Sequence, residues 1–421
     1  MDLNSALGAR DWAMRFAADL HLHSRYSSAV SPAMTVENIA RWALRKGLDL
    51  LGTGDCLQPQ WLAEIETHTI EAEPGLRVLK PETEKLVQAG LPVALHRPLR
   101  FVLSTEVNCV PPGIGEMEGL HQLLYFPSLA VARDFAARIA KHGDLQEGRP
   151  TLGISAQTLL RGIRNFDRVH LVPAHVMNPW FSVFGVIGGE TSLEKIYGDE
   201  LPHLLAAETG LTSNPVMCRR VPGLDRFALI SSSDAHSLDN LGRECTLLDI
   251  EPGYDALMAA LRAGTRDHVG GTLKFPLGLT RHYLNWCSQC QESFDAKICP
   301  QCGRTLTMGS RDRLPLLDQV RPEPVFPDQA PPFETLMPLA QVVAAVKKRK
   351  SIGTGVLREV DEMVGQLGQH ERGILTETVA EDLTRVTAPE IAEAILAQRT
   401  GAISRRPEPG SGRLGQGTLG F

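Results

Sequence analysis

The sequence has no apolar run approaching the roughly 18 residues of a membrane-crossing helix, so no membrane partner is expected. Its opening stretch, MDLNSALGARDWAMRF, holds no cationic segment leading into an apolar one, so no secretory signal is expected either. Positive charge is not in excess. The formal net charge is −6, whereas a protein that merely coats nucleic acid is basic; a local basic patch remains compatible with this balance. No G-x-G-x-x-G turn follows the first strand-like run, which argues against an open dinucleotide-binding sheet. No internal repeat is evident. The eight cysteines form no disulfide framework. Cys56, Cys109, Cys218 and Cys245 are scattered and the other four cluster at metal-binding spacing, a pattern suited to a reducing cytoplasm.

What is present is a globular composition, 43% hydrophobic over 421 residues, enough for one large domain and one or two smaller ones. Up to about Phe275, apolar runs (RFAADLHLH, LDLLGTGD, LRFVLSTEV, GLHQLLYF, RVHLVPAHV, HLLAAETG, RFALISSSD, ECTLLDI) alternate with amphipathic stretches such as VENIARWALRKG and LAVARDFAARIAKHG, which end in glycine as helices often do. This alternation predicts a parallel sheet or a (β/α) barrel. Polar residues gather where the strands end: His21, His23, Asp55, Glu106, His175, Glu208, Asp234 and His236. In a barrel such ends converge on one mouth.

The most demanding stretch is FAADLHLHSRYSS. On a strand, residues i and i+2 point the same way, which puts Asp19, His21 and His23 on one face. Buried polar groups need partners, and one strand cannot complete a metal's coordination. Glu106, His121, His175, Asp234 and His236 are the candidates from other strands, and Asp234-Ala235-His236 repeats the i, i+2 spacing. Any one of them alone reads as a core or capping residue; their joint placement points to a metal cluster. Imidazoles and carboxylates suit zinc, manganese, magnesium or iron. More than four candidate ligands imply at least two metals with a bridging carboxylate, an arrangement that serves phosphate-ester hydrolysis. The remaining histidines (68, 96, 142, 170, 203, 268, 282 and 370) read as solvated or locally bonded.

Beyond the barrel, WCSQCQESFDAKICPQCGR carries Cys287, Cys290, Cys299 and Cys302 as C-x2-C-x8-C-x2-C, with Pro300 and Gly303 at the second knuckle. The spacing fits one structural zinc held by four thiolates, with no open position for chemistry. A proline-rich stretch follows, then three helix-like segments (AQVVAAVKKRK, TGVLREVDEMVGQLG, PEIAEAILAQRTG) and a Gly-, Pro- and Arg-rich end that is expected to be disordered. The expected divisions are 1–280 for the barrel, 281–312 for the cysteine segment, 313–337 for a linker or wrapping segment, 338–400 for a helical domain and 401–421 for a tail.

DLHLH, GTGD, TEV, His121, PAHV and SDAHS resemble, in order and spacing, the metal motifs of the polymerase and histidinol phosphatase (PHP) superfamily. The resemblance implies an α/β fold built on a distorted (β/α)7 barrel that hydrolyses phosphoesters with two or three divalent metals. It implies one metal on His21, His23, Glu106 and Asp234, a second on Glu106, His121 and His175, and a third involving His236 and residues near Asp55. Catalytic roles would then fall to Asp234, His236 and Asp55. Two departures bear on the third site: Cys56 stands where the superfamily has a histidine, and SRYSSAVS lacks the histidine that often follows the first pair.

Longer runs (ADLHLHSRYS, ENIARWALRKGLDLLGTGDCLQPQWL, VPAHVMNPWFSVFG, ETGLTSNPVMCRR, ISSSDAHSLDNLGRE and the cysteine segment) resemble the endonuclease Q family over about residues 16 to 400. This implies cutting of DNA 5′ to uracil, hypoxanthine, xanthine or an abasic site, leaving a 3′-hydroxyl. A flipped lesion needs a stacking pocket, for which Trp180, Phe181 and Phe184 are candidates; Ser213, Asn214, Arg219, Arg220 and the run Lys347-Lys348-Arg349-Lys350 are candidates for DNA contact. The final QGTLGF, with Gln416, Leu419 and Phe421, resembles the peptide by which bacterial repair proteins bind the sliding clamp. A cytoplasmic, nucleoid-associated protein is expected. The rival readings are a small-molecule phosphatase, which would need neither cysteine segment nor helical domain, and an inactive DNA- or clamp-binding adaptor, which would not keep so full a ligand set.

Overall fold

In the computed structural model, which describes residues 16–400, the apolar runs become short strands. In chain order they are β1 (Phe16–Asp19), β2 (Leu50–Gly52), β3 (Thr69–Glu73), β4 (Leu76–Leu79), β5 (Arg100–Cys109), β6 (Leu120–Phe126), β7 (Thr151–Leu152), β8 (His170–Pro173), β9 (Ala207–Glu208), β10 (Leu229–Ile230), β11 (Cys245–Leu248) and β12 (Val269–Lys274). Seven of them close a ring. β1 pairs β2 and β2 pairs β5 in parallel, while β6 pairs both β5 and β8 antiparallel. β8 reaches β9 through Leu205 N–H to Leu171 O (3.0 Å) and Val176 N–H to Glu208 O (2.9 Å). β9 pairs β10 in parallel, and the ring closes beyond β10, where Leu22 bridges Ala235 and Asp234 N–H donates to His21 O (2.9 Å). This is the distorted (β/α)7 barrel. Helices cover its outside, so its staves are buried on both faces, and they are apolar nearly throughout for that reason.

Two strands depart from simple strand–helix alternation. β6 returns from β5 as an antiparallel hairpin, with Asn108 opposite His121. The start of β6 therefore lies at the rim reached by the C-terminal ends of the parallel strands, and His121 enters the mouth although it begins its strand. β11 stands outside the ring, antiparallel to β1, and extends the sheet to β12.

The cysteine segment forms a small hairpin, β13 (Asn285–Cys287) and β14 (Glu292–Phe294). The proline-rich stretch wraps the barrel: Arg321 N–H donates to Arg220 O (2.9 Å), Val325 N–H to Arg219 O (3.0 Å), and β15 (Phe333–Thr335) adds a parallel strand beside β12. The C-terminal helices, Leu339–Val346 to Pro389–Arg399, enclose a core of their own that includes Val343, Val360, Ile374 and Ile395. They dock on the barrel helix Val36–Lys46. That helix ends at Gly47 with φ of 91°, and a Cβ there would lie 2.6 Å from the His370 ring. Glu371 accepts from Lys46 Nζ at 2.9 Å and forms an ion pair with Arg45, whose Nε lies 2.9 Å away. Among the described residues, no helix is long and apolar enough to cross a membrane.

Candidate metal centre

His21 and His23 follow β1 into the mouth of the ring, and both are buried. Each is oriented from behind. His21 Nδ1 lies 3.0 Å from Glu208 Oε2, and His23 Nδ1 lies 3.0 Å from Asp55 Oδ1. With Nδ1–H donating to a carboxylate, Nε2 is left as the free lone pair. Both Nε2 atoms are buried without a hydrogen-bond partner, as is Asp234 Oδ1. His21 Nε2 is 3.5 Å from Glu106 Oε1 and 3.5 Å from Asp234 Oδ1; His23 Nε2 is 3.3 Å from Glu106 Oε2 and 3.3 Å from Asp234 Oδ1. Ligands bound to a tetrahedral ion at usual lengths stand about 3.3–3.6 Å apart, so these orphaned atoms are spaced to hold one.

A second group meets on the other side of Glu106. His121 Nδ1 and His175 Nε2 lie 3.0 and 3.1 Å from Glu106 Oε1 and 3.3 Å from each other. Glu106 thus faces both groups, as a bridging carboxylate must. A third group joins His23, Asp234 and His236, with ligand atoms within 4.8 Å of one another. These are divalent-metal sites in their donor chemistry. Their charge agrees: burial opposes charge on His21 and His23, yet the carboxylates outweigh it. Glu208, Glu106 and Asp234 hold His21 well above its usual range, and Asp55 leads in pushing His23 up to about 10. Burial also favours the neutral form of Glu106, but His121 and His21 keep its carboxyl well below the usual range. For His121 burial wins, lowering it to about 4.

The backbone is held in an unusual shape to achieve this. Asp55, His175 and Asp234 have φ of 47°, 29° and 47°, the left-handed region that non-glycine residues rarely occupy. Arg243 clamps the last of these, donating from Nε to Ser233 O (2.9 Å) and from Nη2 to Asp234 O (3.3 Å).

Several sequence expectations need correction. Asp19 does not join His21 and His23 at the metals. One step deeper in the ring it accepts from the backbone N–H groups of Ser233 (2.9 Å) and Gly242 (3.0 Å), bracing the Asp234 loop. Asp55 belongs to none of the three ligand groups, because its oxygens are fully engaged: Oδ1 by His23, Oδ2 by Ser24 N–H (2.7 Å), Ser24 Oγ (2.7 Å) and Ser27 Oγ (2.9 Å). The serines of SRYSS hold the residue that orients His23. Cys56 is part of the apolar core, its thiol pushed well up by burial. Phe184, Ser213 and Arg219 are buried and unavailable to DNA. Ser213 Oγ donates to Thr209 O (2.7 Å), and Arg219 donates to Leu224 O (2.6 Å) and Phe227 O (3.0 Å). Asn214 caps the helix Pro215–Cys218 through Met217 N–H. Trp180, Phe181 and Arg220 are half-buried; Phe181 stacks on His121 with centroids 4.5 Å apart, and Arg220 Nε donates to Arg321 O (2.8 Å). Lys347 to Lys350 are exposed. Gln416, Leu419 and Phe421 lie outside the described residues.

Two polar residues at the site were absent from the expected ligand and catalytic sets. Glu208 was visible as a carboxylate ending a strand run. Arg149, whose Nη1 donates to Glu106 Oε2 at 3.3 Å, sits in a loop with no periodic signal.

The four cysteine sulfurs converge, with Cys287 and Cys302 3.5 Å apart and Cys290 and Cys299 3.7 Å apart. Four thiolates on zinc stand about 3.8 Å apart, so this is the structural zinc site. Gly303 closes the knuckle at φ of 73°. The segment touches the loop after His175: His282 packs edge-on between Trp180 and Trp286, at 4.7 and 5.2 Å, and Arg313 Nε donates to Phe184 O (3.1 Å).

No family model matches the chain. Among curated proteins, the uncharacterized protein YqxK of Bacillus subtilis (strain 168) is 25% identical over 404 residues, covering 92% of this chain and 95% of the relative. Among solved structures, the lesion-specific endonuclease PfuEndoQ from Pyrococcus furiosus aligns with a TM-score of 0.75 at 27% identity, over 92% of this chain and 91% of that one. A structure of endonuclease Q in complex with a 27-mer duplex substrate, with an abasic lesion at the active site, aligns with a TM-score of 0.78 at 27% identity over 92% of both chains. This likeness over 92% of the chain supports its assignment to the endonuclease Q family of the PHP superfamily.

Proposed function

We propose that the protein is a metal-dependent endonuclease that nicks DNA on the 5′ side of an abasic site or a deaminated base (uracil, hypoxanthine or xanthine), leaving a 3′-hydroxyl. The observation that carries this reading is the match across 92% of the chain to an endonuclease Q with an abasic-lesion duplex at its active site. In this reading His21, His23, Glu106 and Asp234 hold one metal, Glu106, His121 and His175 a second, and His23, Asp234 and His236 offer a third site. Divalent cations there supply an acidified water and positive charge for the oxygens of an in-line displacement.

The chain's own part is positioning. Glu208 and Asp55 hold the two imidazoles so that their Nε2 lone pairs face inward. Asp234 and His236 stand at the open side of the cluster, with side chains 25% and 31% exposed, where attacking water and leaving oxygen meet the protein. The P–O3′ bond breaks, the water oxygen stays on the 5′-phosphate, and the 3′-oxygen takes up a proton. Trp180 and Phe181, next to His121 and the cysteine segment, are the candidates for stacking on an extrahelical lesion, and the exposed run from Lys347 to Lys350 is a candidate phosphate contact. Gln416, Leu419 and Phe421 would tether the enzyme to a sliding clamp, the glutamine by hydrogen bonding and the two apolar side chains by filling a pocket. This would place it in the cytoplasm with replicating DNA.

The test is a nicking assay with manganese or magnesium on labelled duplexes carrying uracil, hypoxanthine, an abasic site or no lesion. Incision just 5′ of the lesion is expected, abolished by Asp234→Ala or His23→Ala with folding intact. Absence of cutting, or equal cutting of undamaged DNA, refutes the reading. Phe421→Ala should lose clamp pull-down without affecting cutting in a clamp-free assay; unchanged pull-down removes the tether.

A further inference from the structure

One cation at the mouth belongs to the chain itself. Arg149 lies in the GDLQEGRP loop that leads into β7, with its side chain 24% exposed. Among the described residues its side chain makes a single hydrogen bond, to Glu106 Oε2 at 3.3 Å. A guanidinium offers five N–H donors in a planar fork, so most of its capacity is uncommitted.

The loop is built to bring it there. Gly148 N–H donates to Tyr26 O at 3.0 Å, and a Cβ on Gly148 would lie 2.3 Å from Ser27 Oγ and 2.6 Å from Asp55 Oδ2. Only glycine lets the backbone pass so near the group that orients His23. On the other side, Asn108 N–H donates to Pro150 O at 2.9 Å and Thr151 pairs with Asn108 on β5, the strand that carries Glu106. The backbone is therefore pinned on both sides of Arg149 to the segments that carry the metal ligands.

Balancing Glu106 does not explain this placement. That carboxylate already faces His21, His23, His121 and His175. A fixed positive charge beside a site that collects divalent cations opposes their binding, unless an anion is brought to the same place. The planar fork suits phosphate oxygens.

We infer that Arg149 is a catalytic residue whose guanidinium donates to a non-bridging oxygen of the scissile phosphodiester and stabilises the charge that oxygen gains as water bonds to phosphorus, before the P–O3′ bond breaks and its electron pair leaves with O3′. This rests on the nuclease reading above. The proposal is tested on the full-length, manganese-loaded protein with Arg149→Lys and Arg149→Ala. Removing one preorganised donor of this kind lowers kcat about 100- to 1,000-fold. The alanine variant should show that loss, the lysine variant a smaller one, and dilute guanidinium should restore part of the alanine variant's rate. Metal content and melting temperature should stay as in wild type. Calorimetric titration with inorganic phosphate should show weaker binding to the alanine variant. Wild-type rate and phosphate affinity in both variants would overturn the inference, as would loss of bound metal in place of lost phosphate affinity, which marks a structural role. If wild type cuts no lesion DNA, the nuclease reading fails, and the phosphate titration still decides Arg149: equal affinity in wild type and alanine variant overturns it, and weakened affinity supports it.

Discussion

Asp55→Asn separates two roles that the sequence leaves together, catalysis and orientation. The fully buried carboxylate receives four donors, from His23 Nδ1, Ser24 N–H, Ser24 Oγ and Ser27 Oγ, at 2.7–3.0 Å. Asparagine fills the same space but has one acceptor oxygen, and its amide N–H groups face donors. If the oxygen stays on His23, Ser24 N–H is left unpaired while the serine hydroxyls rotate; if it turns to the serines, His23 loses its tautomer. One unsatisfied buried donor costs about 1–3 kcal/mol, so urea unfolding of the metal-free protein should show a loss of that order. Loss of a carboxylate behind a ligating histidine lowers metal affinity about 10- to 100-fold, or roughly 1.4–2.7 kcal/mol. Manganese titration followed by electron paramagnetic resonance reads this directly. The decisive measurement is nicking against manganese concentration: with Asp55 as an orienting residue, the variant approaches wild-type kcat once metal is saturating. A kcat still more than 100-fold down at saturation, or unchanged metal affinity, would refute the orienting role.

Glu371→Ala strands Lys46, largely buried at 2.9 Å from the lost carboxylate, and leaves Arg45 with Asp361 as its remaining acidic partner. A loss of about 3–5 kcal/mol in denaturant unfolding is expected, and a change below about 1 kcal/mol would mean that the contact between helical domain and barrel rests elsewhere. His370 Nδ1 accepts from Gly373 N–H at 2.8 Å, and burial lowers its pKa to about 4. Because the unfolded chain takes up this proton first, near pH 6.5, the contribution is full above that pH and is lost as pH falls from about 6.5 towards 4. His370→Gln should make stability fall less steeply over that window, by on the order of 1–3 kcal/mol, with His121, His170 and His282 still contributing to the slope; an unaltered pH profile would contradict it. Cys299→Ser should release zinc and lower the melting temperature while the barrel keeps its metals, as metal analysis would show. Retained zinc would refute the four-thiolate assignment.

The sequence by itself determined the features that need only neighbouring residues. DLHLH and DAH announce ligands because alternate residues of an extended chain share a side, and the two C-x2-C knuckles announce zinc because each spans a single turn. Strand–helix alternation gave away the barrel for the same reason, since periodicity is local. The closed ring decided the rest. His121 reaches the metals because β6 runs antiparallel to its neighbours, and no periodicity in GLHQLLYF encodes that direction. Asp19 and Asp55 look like ligands in the chain, yet one meets backbone N–H groups and the other meets His23 and two serines. Glu208 and Arg149 are brought to the cluster from 187 residues after His21 and 43 after Glu106. Phe184 and Arg219 are lost to the interior. A side chain's type states which chemistry it can offer, but its role is set by the groups that reach it, and those come from strands far apart in sequence that meet only when the barrel closes.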